Sequence, residues 1–507
     1  MEYLKRFSEW STNDKLIVSS TALEDSKHSY IDTIACILAG QNHSISKKIK
    51  KLNFYFKNEN SIFINALLYG CQAGILDYDD YESAGSSHCS APIVSSVLAL
   101  IKENNFTYKQ ILEAWIVGYE IIIGLGLSLG YSHYEKGWHA ASTLGTIGVA
   151  ATIGRLTKLN SKQMLKALSI ASSSSAGMKI QFGNEMKVVH LGLAAQSGIQ
   201  AAFLAKENVE ANDNFYDDID GFKSLYGTSF SKTLDESTKS RNLGFATLDY
   251  PVIKKPWPSC ACTHRVVEAA EILSAKINSI SDIEKVIIKT PEPFTKVSRF
   301  HIPTNESEAR FSPSYCAMVT LQNGKLEPKD FINNIFLTEE KQQLTKIAKI
   351  NPYKVPPTFT EMSPDFPCSI EVFMKDGKKI EEIIERFWVQ VADGKIDNDH
   401  FSPEQITAYS SGGLWQYISD SEMIASLTTD SRLKVRSYHM NVKFLGSEED
   451  VAYVTYYLAG KIANGDNVVV PNYRTRISQV LEKRGSKWTF IGSHASPLFG
   501  GSGFNVD

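Results

Sequence analysis

Residues 135–160 read EKGWHAASTLGTIGVAATIGRLTKLN, and how this stretch folds decides how the rest of the chain is read. Small residues at 141, 145, 148 and 151 recur three or four apart, the period of one face of a helix. Side chains of that size let a neighbouring backbone come close. Gly192, Ala195, Gly198 and Ala202 repeat the device further on. Two helices are therefore expected to pack nearly backbone to backbone, one headed by His139 and the other by Lys187 and His190.

The same period extends outward from about residue 27 to 210, through SYIDTIACILAG, SIFINALLYGCQAGILD, SAPIVSSVLALIKEN, TYKQILEAWIVGYEIIIGLGLSL and VVHLGLAAQSGIQAAFLAKEN. Several of these segments follow a Ser, Thr or Asn that can cap the first turn. An all-helical domain over 1–268 is predicted, with a loop-rich passage at 211–250. The serines at 172–175 read equally as a linker or as a close-packed helix end. Beyond 269 the pattern changes. IEKVIIKTP and CSIEVFMKDGKKIEEIIE alternate with period two, and SPSYCAMVTLQNG between them reads as a helix, which predicts a smaller α+β domain over 269–383. Over 384–507, LKVRSYHMNVKF, DVAYVTYYLAG, YRTRISQVLEKR and KWTFIGSHAS predict an antiparallel meander preceded by helical segments.

The chain has 507 residues, more than one core usually serves, so a multidomain protein is expected. Its 53 basic and 56 acidic residues are interspersed, with no basic block to track a nucleic-acid backbone. The first residues lack a signal-peptide core, and the most apolar stretch carries Glu120 and is broken by glycines. The expectation is a cytoplasmic protein with neither nucleic acid nor membrane as partner. Seven scattered cysteines fit reduced thiols, and Cys260 with Cys262 lacks a second pair at zinc-finger spacing, so no metal is expected.

Basic groups gather where helices begin. His139, Lys187 with His190, His88 ahead of Ser90, and Lys255 ahead of His264 each stand near a predicted amino terminus. A helix start already carries partial positive charge and unsatisfied N–H groups, so added cations are unfavourable there unless an anion sits among them. That pattern suits a ligand with several carboxylates. In such a field a histidine stays neutral near pH 7, and a lysine among other cations is easier to deprotonate. Asp77, in LDYDDY, can hold one of these groups in its working orientation. Proton abstraction alpha to a carboxylate is the chemistry suggested.

These segments, in this order, resemble the MmgE/PrpD family: LDYDDY with SSHCSAPIVSSVLAL, then GWHAASTLGTIGVAA, MKVVHLGLAAQSGIQAA and KKPWPSCACTHRVVEAA. The likeness covers roughly residues 5–383. It implies an all-helical domain, an α+β lid, a cofactor-free and metal-free site in the cleft between them, and a homodimer. The family's pocket positions fall on Asp77, His88, His139, Lys187 and Lys255. Tyr81 stands where a threonine is common, the loop to His88 is one residue longer, and Cys89 and Ala140 replace prolines that often follow the two histidines. His190, Cys260 and His264 are read as substrate-binding neighbours. The tail, through YRTRISQVLEKRGSKWTFIGSHASPL, resembles the SnoaL-like cone, an α+β fold with a curved antiparallel sheet. Trp415, Tyr438, His439, Tyr456, Arg474 and His494 are candidates to line a pocket there.

The resulting expectation is a cofactor-independent lyase, of dehydratase or decarboxylase type, acting on a small di- or tricarboxylic acid. His139 or Lys187 is the base, and His88 and Lys255 are the acid and electrostatic partners. Re-protonation in place of elimination would make it an epimerase or isomerase. A bifunctional biosynthetic enzyme and a non-catalytic dimerisation scaffold are the competing readings.

Overall fold

The computed structural model describes residues 2–56, 61–101, 104–239, 241–356 and 366–384, and, of the rest, the backbone of six strands between 406 and 497. The chain divides into two compact units, Met1–Ile384 and Glu385–Asp507, each described by itself.

The first unit is mostly helical. Its longer helices are Ser20–Gly40, Ile62–Gly74, Ser90–Ile101, Tyr108–Leu129, Ala140–Leu156, Ser161–Ser173 and Met186–Lys206. Thr107 and Asn160 open theirs with reciprocal capping boxes, so the first N–H groups of each helix find partners. The Ala140–Leu156 helix is buried at every residue except Arg155, so it sits at the centre with neighbours on all sides. The serine run proves to be a helix end at Ser173, and the 211–250 passage carries three short helices, Phe222–Tyr226, Leu234–Thr238 and Ala246–Asp249.

A central helix needs small residues on several faces, and this corrects the expected pairing of two glycine stripes. A Cβ added at Gly198 would lie 2.7 Å from the Thr146 carbonyl oxygen, so those two helices do meet closely there. Gly148 faces the Tyr108–Leu129 helix instead, where an added Cβ would stand 3.1 Å from the Gly118 oxygen. Gly192 turns to the Ile62–Gly74 helix, where the same atom would come within 2.3 Å of the Leu67 oxygen. Backbone cannot yield as a side-chain tip can. Gly192→Ala is expected to destabilise the unit by roughly 1–3 kcal/mol, as overpacking does, measured by denaturant unfolding; an unchanged midpoint would contradict the contact.

Tyr108–Leu129 and Met186–Lys206 are long and apolar enough to cross a bilayer by length and composition alone. The first is 89% buried by its neighbours over its apolar window, as core helices are. Its Glu120 is paired with Arg241 at 2.8 Å and accepts from the backbone N–H groups of Gly244 and Ala246.

Strands β1 (Ile283–Pro291), β2 (Ala348–Tyr353), β3 (Ser369–Met374) and β4 (Lys379–Ile383) form a sheet in the order β2-β1-β3-β4. β1 and β2 are parallel and the other pairs antiparallel. The helices Ala261–Ser274 and Pro313–Asn323 pack against this sheet. Alternation predicted β1, β3 and β4 but not β2, whose AKINPY is half exposed and carries Pro352, as an edge strand tolerates.

In the second unit, β5 (Ile406–Ser410), β6 (Gly413–Tyr417), β7 (Leu433–Leu445), β8 (Val451–Asn464), β9 (Asn467–Arg484) and β10 (Lys487–Pro497) form one sheet in the order β6-β5-β10-β9-β8-β7. β7 to β10 are the antiparallel meander. Two short strands, β5 and β6, stand ahead of it in a passage read as helical, whose other residues lie outside those described. Trp415, Tyr438, His439, Tyr456, Arg474 and His494 lie on these strands, and their side chains are likewise outside the description.

Candidate functional site

Asp77 is the centre of a buried ionic cluster. It follows the end of the Ile62–Gly74 helix with φ of 49°, a left-handed conformation that a short polar side chain tolerates. Its Oδ1 receives Lys187 Nζ at 2.9 Å and Lys255 Nζ at 2.7 Å, and His88 Nε2 stands 3.8 Å away. Lys255 also donates to the Asp77 carbonyl oxygen at 2.8 Å. Both lysines and the aspartate are buried. Lys187 is the second residue of the Met186–Lys206 helix, and Lys255 lies in the turn six residues before Ala261. The anion that sequence reasoning required among the cations is thus supplied by the chain itself.

Two devices bring these loops together. Tyr81 and Ile253 exchange backbone hydrogen bonds of 3.1 and 2.8 Å, a single β-bridge that sets the 77–81 loop beside the turn carrying Lys255. Arg310, fully buried, donates to the carbonyl oxygens of Leu76 (2.9 Å) and Pro258 (2.8 Å) and pairs with Glu306 at 2.7 Å. One guanidinium therefore clips the residue before Asp77 to the turn before Cys260. Sequence reasoning missed Arg310 because nothing local in FSPSYC marks a partner more than two hundred residues away.

Burial alone would push the Asp77 carboxyl up, but Lys187, Lys255 and His88 outweigh it and hold it well below the ordinary carboxylate range. Burial likewise opposes the charged form of Lys255, yet Asp77 and Asp79 raise its pKa. The expectation that a lysine here loses its proton more readily is corrected for Lys255: the adjoining carboxylates keep it an ammonium.

His88 is held from three sides. Its Nδ1 lies 3.1 Å from the Asp80 carbonyl oxygen, an acceptor only, which makes Nδ1 the protonated nitrogen. Asp79 Oδ2 also lies 3.1 Å away, and neither Asp79 oxygen has a hydrogen-bond partner although the residue is fully buried. Asp79 is thus compensated by charge: burial raises its carboxyl, but His88, Lys255 and Lys187 bring it below the usual range. Asp80 instead accepts from the Ser90 hydroxyl (2.6 Å) and N–H (3.3 Å) at the start of the Ser90–Ile101 helix. All three aspartates of LDYDDY are buried, unlike the exposed turn such a motif usually forms.

His139 is the N-cap residue of the Ala140–Leu156 helix, with its N–H on the Gly177 carbonyl. Its Nδ1 lies 3.1 Å from Nδ1 of His190, and its Nε2 is sealed without a partner. Burial, then His190, Lys187 and His88, push its pKa well below the histidine range. His190 is brought down to about 4 by burial and by Lys187. It is the fifth residue of its helix and does not head it. Phe182 meets the His139 ring edge-on at 5.0 Å, and Phe311 lies beneath Lys187 Nζ at 5.3 Å, so an apolar wall adjoins the charges.

The remaining candidates are less direct. Tyr81 is buried and contributes its backbone to the bridge with Ile253. Cys260 is the N-cap residue of the Ala261–Ser274 helix; burial would raise its thiol, but Cys262 and Lys255 lower it. His264 lies 3.1 Å from the Ser259 carbonyl through Nε2 and meets Trp257 edge-on, so its contacts are with the turn and not with Asp77. Asp77, Asp79 and His88 each place a possible ligand atom within 4.8 Å of the others. The two ammonium groups already on Asp77 oppose a divalent ion there by repulsion. All seven cysteines are free and buried.

The fold and the cluster define a helical protein with an α+β extension, in which two buried ammonium groups and an imidazole share one carboxylate beside a pair of histidines. The chain belongs to the MmgE/PrpD family: its N-terminal domain matches residues 6–235 and its C-terminal domain residues 257–408. Over 336 residues it is 26% identical to cis-aconitate decarboxylase of Mus musculus, covering 64% of this chain and 67% of that one. The Homo sapiens cis-aconitate decarboxylase is also 26% identical, over 337 residues that span 64% of this chain and 68% of the relative. A Caulobacter vibrioides protein with a cystatin-like fold aligns over 22% of this chain and 83% of its own, at 13% identity and a TM-score of 0.20, too low to assign a fold.

Proposed function

We propose that this protein is a lyase acting on a small di- or tricarboxylic acid, by proton transfer at the carbon alpha to a carboxylate and without a cofactor. The observation that carries the reading is the convergence of Lys187, Lys255 and His88 on Asp77, close enough for their charges to act on His139. In this reading His139 is the base: burial and the neighbouring cations keep it neutral, and its Nε2 has no hydrogen-bond partner. Lys255 and Lys187 bind carboxylates and stabilise the enolate-like charge that develops, and His88, set between the carboxylates of Asp77 and Asp79 and the Asp80 carbonyl, is the acid. Because both curated relatives are named as decarboxylases of cis-aconitate, decarboxylation is placed ahead of dehydration and epimerisation. Tyr81 narrows the choice of substrate. The active form is a cytoplasmic homodimer, with residues 384–507 as a SnoaL-like cone that serves assembly.

The test is incubation of the full chain with citrate-, aconitate- and aspartate-derived acids in heavy water, followed by proton NMR. Loss of carbon dioxide or of water with deuterium entering the product is expected. Deuterium exchange in an otherwise unchanged acid would mark an epimerase, and an inert panel would count against a lyase.

A further inference from the structure

The contact between His139 and His190 joins two nitrogens of the same kind. Nδ1 faces Nδ1 at 3.1 Å, both rings are buried, and the rings are tilted by 50° with centroids 5.3 Å apart. Each neutral imidazole carries one proton, and a hydrogen bond across this gap needs one Nδ1–H and one bare Nδ1. Two neutral rings in this arrangement must hold opposite tautomers. The donor then shows a bare Nε2, and the acceptor an Nε2–H.

The surroundings choose between the two assignments. His139 Nε2 is sealed and partnerless, and a buried nitrogen in that state is borne more readily as a lone pair than as an N–H, the rarer orphan in folded proteins. His139 is therefore the Nδ1–H donor with Nε2 bare, and His190 the acceptor. The pair is braced by backbone: Ser142 Oγ donates to the His190 carbonyl at 3.2 Å, His139 N–H to that of Gly177 at 3.0 Å, and a Cβ added at Gly177 would come within 2.9 Å of Ser142 Cβ and 3.4 Å of His190 Nδ1. Its members differ in access, His139 being 1% exposed and His190 6%.

We propose that His190 is a positioning residue that fixes the basic tautomer of His139 and takes up, through Nδ1, the positive charge that proton abstraction creates on it. The proposal rests on the reading of His139 as base. A proton taken from substrate carbon by His139 Nε2 leaves the electron pair on that carbon and makes His139 an imidazolium. Its Nδ1–H then passes to His190 Nδ1, which restores a neutral His139, now protonated at Nε2. His190 in turn releases its own Nε2 proton; the pair resets when His139 Nε2 gives its proton to the product, His190 Nδ1–H returns to His139 Nδ1, and a solvent proton replaces the one lost from His190 Nε2. Burial and the charge of Lys187 keep both rings neutral between turnovers, consistent with this traffic.

Nitrogen-15 NMR of the histidine-labelled full chain tests the pair without any substrate. Complementary tautomers are expected at His139 and His190, with the His139 signals moving in His190→Phe, which removes the acceptor. Identical tautomers on the two rings, or His139 signals unmoved by that substitution, would overturn the proposal even if the lyase reading stands. His190→Asn, whose side-chain oxygen still accepts from His139, is the variant for turnover in heavy water. It should retain KM and lower kcat by roughly a hundredfold, the low end of general acid–base contributions, because the amide oxygen accepts the hydrogen bond but cannot take the proton. Unchanged kcat in His190→Asn would reduce His190 to a structural role. An inert panel would fail the lyase reading and leave the NMR result to decide the tautomers.

Discussion

Asp77→Ala should destabilise the first unit by roughly 3–5 kcal/mol, the range seen when one partner of a buried ion pair is removed. The reason is local. Lys187 and Lys255 are 4% and 5% exposed, and both place their ammonium on the single Oδ1 that the substitution deletes. Left unpaired, each must lose its proton or draw water inward, and either response is unfavourable. The pH dependence has a definite sign. Because the folded Asp77 carboxyl lies well below its ordinary value, its contribution is present above the usual carboxylate range and is lost as pH falls through the lower, folded value. Thermal and denaturant unfolding at a series of pH values should show the variant less stable at neutral pH and with part of the acid-induced loss gone. Equal stability of the two proteins at pH 7 would mean that Asp77 does not carry the cluster.

The second large effect concerns turnover. His139→Gln is expected to lower kcat by roughly 10²–10⁴, the span attributed to a positioned general base, with the helical signal retained. His133 supplies the control, for it is equally buried but has both ring nitrogens engaged, with the Tyr226 carbonyl at 2.9 Å and the Thr143 hydroxyl at 2.8 Å. His133→Gln should lower the melting temperature while each folded molecule turns over at close to the normal rate. If the two substitutions act alike on kcat, His139 is a structural histidine and the base must be sought elsewhere.

Much of this arrangement was legible in the sequence, for identifiable reasons. The helices declared themselves through a period of three to four and through caps such as Thr107 and Asn160, both strong local signals. His139 was correctly placed at the head of its helix because GWHAAS changes character at that residue. Lys187 and Asp77 could be named but not joined, since their 2.9 Å contact spans a separation of 110 residues. A linear pattern shows cations and a nearby acid without showing which of them meet; the structure gathers Lys187 and Lys255 on Asp77. Arg310, Asp79 and the Tyr81–Ile253 bridge were illegible because each acts through backbone carbonyls or through charge at a distance. β2 was missed because an exposed edge strand has little alternation to display.

The carboxylate that holds Lys187 and Lys255 together also sets terms for any visitor. Before a guest arrives, the two ammonium charges are already answered from within, by Asp77 in direct contact and by Asp79 through its field. Under the proposed function, an acid with two or three negative groups competes with that resident charge better than a simple monoacid does, and adding monoacids to the substrate panel tests it.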